Sequence, residues 1–391
     1  RLGSARRGKD DKDMIPKAVM YLDDATGRQY TRNPKASYID YAELRNMFSI
    51  SQSSAAHAVS NAALREARAN WKKMPPADKA KAAILMDAHA YGDISLEVIE
   101  SLNQLAMTSP QRGMWWDNTD ITGQSIILDA YCQLQPKSKA IDQIRQWLIF
   151  QKEATSWNDN PQAALVIANL ITSSPAWVIP AGKVDITLDG TALTLPESDH
   201  ATGMFTMNIP SDKASGSNLN IRNSDALPSW GAVIAQYVAE SSSVAPHSIP
   251  DLSISKEILT EVPTSDGMRW TAGTSMELGK NVKVQLTIVA KRDMDYVTII
   301  DQRAACFEPA DQLPGYIFSQ GLSFYRENRD SQTDIFITRL PKGTYVLTYD
   351  LSANNAGTFT SGIATVQSQM TPSLTAHSGA DMISVASTHI K

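Results

Sequence analysis

Apolar positions recur at helical spacing from Met14 to about Ser173 and at alternating spacing beyond Pro175. In the first part, Gly and Pro fall between the periodic segments, which sets expected breaks between helices. Tyr38–Met47 and Ala55–Trp71 read as helices. Two helix pairs follow: Ala77–Tyr91 with Ser95–Met107, and Ile121–Cys132 with Ser138–Gln151. Gly113-Met114-Trp115 and Ser156-Trp157 are expected in loops. Leu85 and Ile127, Ala88 and Ala130, Ile99 and Ile141, Leu102 and Ile144, and Trp115 and Trp157 fall at one constant offset. A two-helix unit repeated in this way predicts stacked helical hairpins, in an open solenoid or a closed α/α-toroid. Asp93 and Ser138 are placed to cap the second helix of each pair.

The rest of the chain reads as strands. Lys183–Leu188 and Thr191–Leu195 flank Asp189-Gly190, a hairpin turn signal. Gly203–Ile209, Asn218–Arg222 and the apolar run Ser229–Tyr237 are further expected strands. Ser241–Pro246 reads as a linker. Alternation then runs from about Leu252 to Met370. Within it, Asp334–Leu340 and Thr344–Leu351 flank Pro341-Lys342-Gly343, and a third strand spans Thr358–Gln367. This pattern predicts an antiparallel β-sandwich that folds as a module of its own.

Several short stretches carry a resemblance. Arg339-Leu340-Pro341-Lys342-Gly343-Thr344-Tyr345, Val366-Gln367-Ser368-Gln369-Met370, and Tyr296–Asp301 followed by Cys306-Phe307-Glu308-Pro309 resemble the last domain of bacterial alpha-2-macroglobulin-like proteins. Gly113-Met114-Trp115-Trp116-Asp117, Ile127-Leu128-Asp129-Ala130-Tyr131-Cys132 and Ser156-Trp157-Asn158-Asp159-Asn160 resemble the closing half of that family's thioester-type α/α-toroid. Ser229-Trp230-Gly231 with Gln236-Tyr237 resembles a strand of its small CUB-like domain. The resemblance implies a multidomain α + β chain. Residues 1–175 would be part of a toroid, 176–245 a partial CUB-like β domain with an open sheet edge, and 246–391 a macroglobulin or receptor-binding-like β-sandwich.

Composition narrows the function classes. The chain has 391 residues, enough for two or three domains with their own cores. Hydrophobic residues make up 42% and charged residues 20%, which is ordinary for a globular protein. Lys and Arg number 36 against 41 Asp and Glu, a net charge of −5 with no basic block, which disfavours nucleic acid as a partner. No apolar run reaches the roughly 18 residues of a membrane span. The abrupt start, Arg1-Leu2-Gly3-Ser4-Ala5-Arg6-Arg7, without a signal peptide, suggests a processed or cut chain. Cys132 and Cys306 fall in different expected domains, so a disulfide between them is not expected.

The family's chemistry is an internal thioester in a Cys-x-x-Gln motif, and Cys132-Gln133-Leu134-Gln135 has that spacing. It sits late in the repeat, at a helix end before Pro136, without the family's preceding Gly or the Glu before Gln. Cys132 is therefore expected to pack as a small hydrophobe. His57, His89, His200, His247, His377 and His389 form no zinc motif. Asp87, Asp117, Asp120 and Asp129, with Trp115 and Trp116 nearby, raise a carbohydrate-active toroid as the alternative reading. Acids in equivalent repeat positions more often line a solvated face, and Arg326–Asp330 reads as a solvated loop. The expectation is no catalytic, cofactor or metal residue. The resemblance implies the C-terminal portion of an envelope protein, periplasmic or surface-located, lipid-anchored through a segment outside this chain. Its targets would be proteases, and its last domain could dock an envelope partner.

Overall fold

The structure is a computed structural model that describes residues 11–48, 50, 52–157, 160–174, 184–199, 203–223, 231–235, 238–265 and 267–387. Contacts divide the chain into two units: residues 1–150 with 157–230, and residues 151–156 with 231–391. The chain is multidomain α + β, with helices followed by antiparallel sheets.

The helices are α1 (Asp11–Arg32), α2 (Ile39–Asn46), α3 (Ser54–Asn70), α4 (Pro76–Ala88), α5 (Gly92–Leu105), α6 (Ile121–Leu134), α7 (Ala140–Ala154) and α8 (Asn160–Ser173). Helices α2, α4, α6 and α8 pack successively side by side, while α1 packs on α3 and α4 on α5. Alternate helices thus share a row, as in the stacked hairpins of an α/α-toroid. Leu85, Ile127, Ile99, Leu102 and Ile144 are all buried, so the repeat positions are core positions. One pair breaks the rule: Ala88 is exposed and Ala130 buried. Helix α4 closes early, with Ala90 at φ 66° and the Tyr91 N–H bonded to Met86 O at 2.9 Å.

Other expectations need correction. Pro16 and Gly27 lie inside α1, and Gly123 inside α6. Asp93 does not cap α5; the helix starts at Gly92, and Asp93 sits in its first turn, where its charge complements the dipole. Ser138 does cap, its Oγ accepting from the Ala140 N–H at 3.3 Å. Gly113–Trp115 is not a loop but strand β2, paired antiparallel with β1 (Met107–Ser109). Gly113 has φ +80°, and a Cβ there would lie 2.1 Å from Gln143 O, so only glycine lets this hairpin meet α7.

A three-stranded sheet joins β3 (Val184–Leu188), β4 (Thr191–Ala192) and β5 (Leu219–Asn223), with β3 central. Asp189 and Gly190 have φ +48° and +80°, giving the expected two-residue hairpin turn. Residues 203–209 form no strand, and among the described residues β5 is an edge of this sheet, with four of its five residues exposed. A single turn, α9 (Ser211–Ala214), precedes β5. Of the expected strand 229–237, only 231–235 are described; they are not a strand, and Val233 and Ile234 are each 69% exposed. An apolar run forms a strand only when a neighbour pairs with it and covers one face, and the described residues offer 231–235 neither.

The sandwich begins with β6 (Leu252–Thr264), β7 (Gly267–Ala272), β8 (Ser275–Glu277), β9 (Asn281–Ala290) and β10 (Met294–Gln302). It continues with β11 (Phe307–Pro309), β12 (Gly315–Ser319), β13 (Leu322–Asn328), β14 (Gln332–Leu340) and β15 (Gly343–Ala353). The last strands are β16 (Gly357–Thr360), β17 (Ala364–Ser368), β18 (Thr375–His377) and β19 (Met382–Ala386). One sheet runs β12-β13-β14-β10-β17-β18; the facing sheet runs β11-β15-β9-β6-β7; β16-β19-β8 forms a third. Buried and open positions alternate along β9 and β15, which puts Val282, Val284, Leu286, Leu347 and Leu351 in the core.

Strands β14 and β15 flank a tight turn yet do not pair; they lie in different sheets. Strands β9 and β10 make a second crossing at the same corner. Asp293 ties the two crossings, accepting from the Lys342 N–H at 2.8 Å and from Arg339 at 3.0 Å. The expected third strand, Thr358–Gln367, divides into β16 and β17 in different sheets. The charge run at Arg326–Asp330 is not simply a loop, because β13 extends to Asn328 and Arg326 pairs with Asp311 at 3.0 Å. Residues 151–156 complete this unit: Ala154 joins its core, and buried Asp295 accepts from the N–H and hydroxyl of Ser156 at 2.8 and 2.9 Å.

Leu102 is fully buried at a repeat position. Leu102→Ala is expected to destabilise the helical unit by about 2–5 kcal/mol in urea unfolding. A change within roughly 0.5 kcal/mol would show that the repeat does not build the core.

Candidate functional site

Three constellations bring chemistry-bearing side chains together. The first lies along the row of α2, α4 and α6. Glu43 and Asp40 come from α2, Lys81 and Asp78 from α4, and Asp129 and Gln133 from α6. Lys81 Nζ lies 2.6 Å from Asp40 and 3.4 Å from Asp78. Gln133 donates to Asp129 at 2.7 Å. Burial, reinforced by the charge of Asp129 and opposed by Lys81, pushes the Glu43 carboxyl up to about 7. Burial also pushes Asp129 up. A carboxyl that titrates near neutrality beside a second acid can hold or release a proton at physiological pH. Its neighbour α1–α2 contact is fixed by buried Asp23, which accepts from Arg45 and from Tyr41, each at 2.9 Å.

The second is a cleft of about 350 Å³ lined by Cys132, Pro136, Ser138, Asp142, Arg145 and Ser173. Cys132 is a free thiol, half-buried. Burial, then the charge of Asp129, pushes it up to about 11, against the pull of Arg145. Such a thiol is a poor nucleophile at neutral pH. Gln135 follows α6 as its C-cap, so the Cys-x-x-Gln spacing straddles a helix end. The third is a groove of about 330 Å³ beside Trp71, Glu97, Glu100 and Ser101. Buried Lys79 donates to Ser101 at 2.8 Å, and burial lowers its amine below the ordinary lysine range.

The acids singled out in the sequence do not converge. Asp87 is exposed. Asp120 caps α6, accepting from the Gly123 N–H at 2.7 Å, and Asp117 accepts from the Trp115 indole at 3.1 Å. Trp116 is 1% exposed and donates to Leu102 O at 2.8 Å, which leaves no face for a sugar. Buried Gln124 donates back to Trp116 O at 2.8 Å and locks that loop. Only Asp129 belongs to a constellation. Glu43 and Lys79 were not singled out, and Glu43 lies out of register with Asp129 in the repeat, so no spacing marked it. Among the described residues no group of three or more His, Cys, Asp or Glu could hold a metal ion. No described helix is long and apolar enough to cross a membrane.

Residues 252–373, the core of the sandwich, match the family model described as the bacterial alpha-2-macroglobulin MG10 domain. The sandwich is thus similar to a bacterial alpha-2-macroglobulin MG10 domain. Solved structures of similar proteins span nearly the whole chain. Salmonella alpha-2-macroglobulin reacted with methylamine is 16% identical, covered over 98% of this chain and 24% of that one, with a TM-score of 0.32. Escherichia coli alpha-2-macroglobulin activated by porcine elastase is 15% identical over 98% and 34%, with a TM-score of 0.36. The trypsin-activated Escherichia coli protein is 13% identical over 98% and 26%, with a TM-score of 0.39. The chain thus spans from 24% to 34% of the length of these structures. Among curated proteins there is no match.

Two predictions follow from the chemistry of the helical unit. A carboxyl raised from 4.5 to about 7 means that the native state binds the extra proton, so stability falls as pH rises between those values. Glu43→Gln should therefore match the parent protein below pH 4.5 and exceed its stability by on the order of 1–3 kcal/mol above pH 7. A constant difference across pH would place Glu43 in a solvated setting. Second, Cys132 should react slowly with iodoacetamide at neutral pH, at a rate unchanged by prior methylamine. A methylamine-triggered burst would reveal a thioester.

Proposed function

We propose that this chain is the C-terminal portion of a bacterial alpha-2-macroglobulin-like envelope protein whose whole chain traps proteases. The match of residues 252–373 to the MG10 domain carries the reading. Endopeptidases are the target class in this reading, in keeping with similar structures described as activated by elastase and by trypsin. In this reading residues 1–175 are part of the thioester-type toroid, 176–245 a partial CUB-like domain, and 246–391 the MG10 sandwich. The protein acts in the periplasm or at the cell surface, held there by a lipid anchor outside this chain, and the sandwich offers a surface to an envelope partner. The work is conformational rather than catalytic. Residues that would cut a sugar are instead used as caps and hydrogen-bond acceptors, as at Asp120 and Asp117. No cofactor is needed for it.

The test uses two substrates. The whole protein carrying this chain, mixed with trypsin, should suppress cleavage of a bulky protein substrate while cleavage of a small peptide continues. The 391-residue chain alone should suppress neither, because it lacks the rest of an enclosing trap. Inhibition by the chain alone, or no selective loss of bulky-substrate cleavage by the whole protein, would overturn the proposal.

A further inference from the structure

His247 and His377 stand directly opposite one another at the edge of the sandwich. The two residues exchange both backbone hydrogen bonds, His247 N to His377 O and His377 N to His247 O, each 2.9 Å. Their rings lie side by side, centroids 5.7 Å apart and planes 32° apart. His377 Nδ1 is 3.1 Å from Ser378 O. A carbonyl only accepts, so Nδ1 carries the hydrogen and Nε2 keeps its lone pair for another partner. The carbonyl is itself held in place. Ser378 is buried, its N–H bonds Ala364 O at 2.9 Å, and its Oγ accepts from the Ala364 N–H at 2.9 Å. This is the arrangement that orients a metal-binding histidine, with one nitrogen fixed by a backbone acceptor and the other free to ligate.

The ring separation suits a shared ion. A metal–nitrogen bond of about 2.1 Å, with about 1.1 Å more to each ring centre, holds two imidazoles roughly 4.5–6.5 Å apart as the bond angle opens from right to straight. The observed 5.7 Å falls in that range. We propose that His247 and His377 chelate one borderline divalent cation, of the Cu²⁺, Ni²⁺ or Zn²⁺ class, which fastens the segment before the sandwich to its edge strand. Imidazole nitrogen selects this class over Mg²⁺ or Ca²⁺, which take oxygen ligands. The protein supplies two ligands, and exposure of His247 lets water complete the shell. Strand β18 lies next to β17 in the six-stranded sheet, so the ion would tie residues 244–250 to that sheet beyond the two backbone bonds.

The test is calorimetric titration of the untagged full chain with Cu²⁺, Ni²⁺ and Zn²⁺, paired with electron paramagnetic resonance of the Cu²⁺ form. One ion per chain should bind, Cu²⁺ most tightly. His247→Ala and His377→Ala should each weaken binding on the order of a hundredfold, the loss expected when a chelate becomes a single ligand. The Cu²⁺ spectrum should show two histidine nitrogens in the parent and one in either variant. His57→Ala, at an exposed helical position, should change nothing. His247→Gln, which keeps a polar side chain on the strand, serves as the second variant and should behave as His247→Ala. Binding that persists when His247→Ala and His377→Ala are combined, that weakens equally with His57→Ala, or that is absent altogether would overturn the proposal.

Discussion

A buried ion pair fixes how the two main sheets of the sandwich meet. Lys256, on β6 of one sheet, reaches Asp301, on β10 of the other, at 2.6 Å; their side chains are 4% and 0% exposed. Tyr349, on β15, donates its hydroxyl to the other oxygen of Asp301. The ammonium also donates to Gln302 O at 2.7 Å and Ser361 O at 2.8 Å. A charged pair out of water is tolerable only when nearly every donor and acceptor is met, and losing one partner strands the other at a cost of about 3–5 kcal/mol. The backbone therefore has to arrive at the lysine. It does so between β16 and β17, where the strand breaks and Gly362 takes φ +69° against Gln302. A side chain there would lie 2.7 Å from Gln302 O, so the break and the glycine belong to the same solution. Hydrophobic alternation brings the sheets together, and this polar contact sets their alignment.

In the helical unit the same division of labour appears in another form. Apolar repeat positions such as Leu85 and Ile127 make the stack, while a few polar groups decide its details. Gln124 ties Trp116, Ser95 donates to Ala83 O at 2.9 Å, and Tyr131 donates to Asn103 at 2.6 Å. These buried polar side chains all have hydrogen-bond partners, so the contacts specify geometry more than they add stability. The Glu43–Asp129 face differs, since burial raises both acids and Lys81 opposes the shift at Glu43. A stack of hairpins places side chains from alternate helices next to one another, and that places the acids together whether or not a reaction uses them.

Much of this was legible in the chain. The spacing that joins Leu102 to Ile144 revealed the helical repeat, and the alternation after Leu252 revealed the sandwich. The words around Pro341-Lys342-Gly343 pointed to its family. What escaped was whatever depends on partners far away in sequence. A strand pattern does not say which sheet a strand joins, so the turn signal at Pro341 did not reveal that the chain crosses there from one sheet to the other. The break after Thr360 answers to Lys256, about a hundred residues earlier. Gly203–Ile209 has strand-like composition but, among the described residues, no neighbour to pair with it. For the site, the aspartates beside Trp116 drew notice by type and proximity. Their hydrogen bonds to Gly123 and Trp115 are local, and only coordinates show that these are already engaged. Glu43 carries no local mark; its altered acidity comes first from burial and then from the charge of Asp129 on α6, against the pull of Lys81 on α4.

The sandwich is not one continuous length of polypeptide, and this bears on how it forms. Ser156 and Asp295 are separated by 139 positions, and Ala154 sits in a core otherwise built from residue 252 onward. During synthesis, residues 151–156 emerge long before the strands they complete. They must be kept available while the intervening chain is made, then recaptured through a very long loop. Contacts of such separation are slow to form, because closing the loop costs entropy before any contact repays it. We expect the last step in completing this unit to be the docking of that early segment, and a chain severed between residues 156 and 231 to assemble its sandwich as two pieces rather than one.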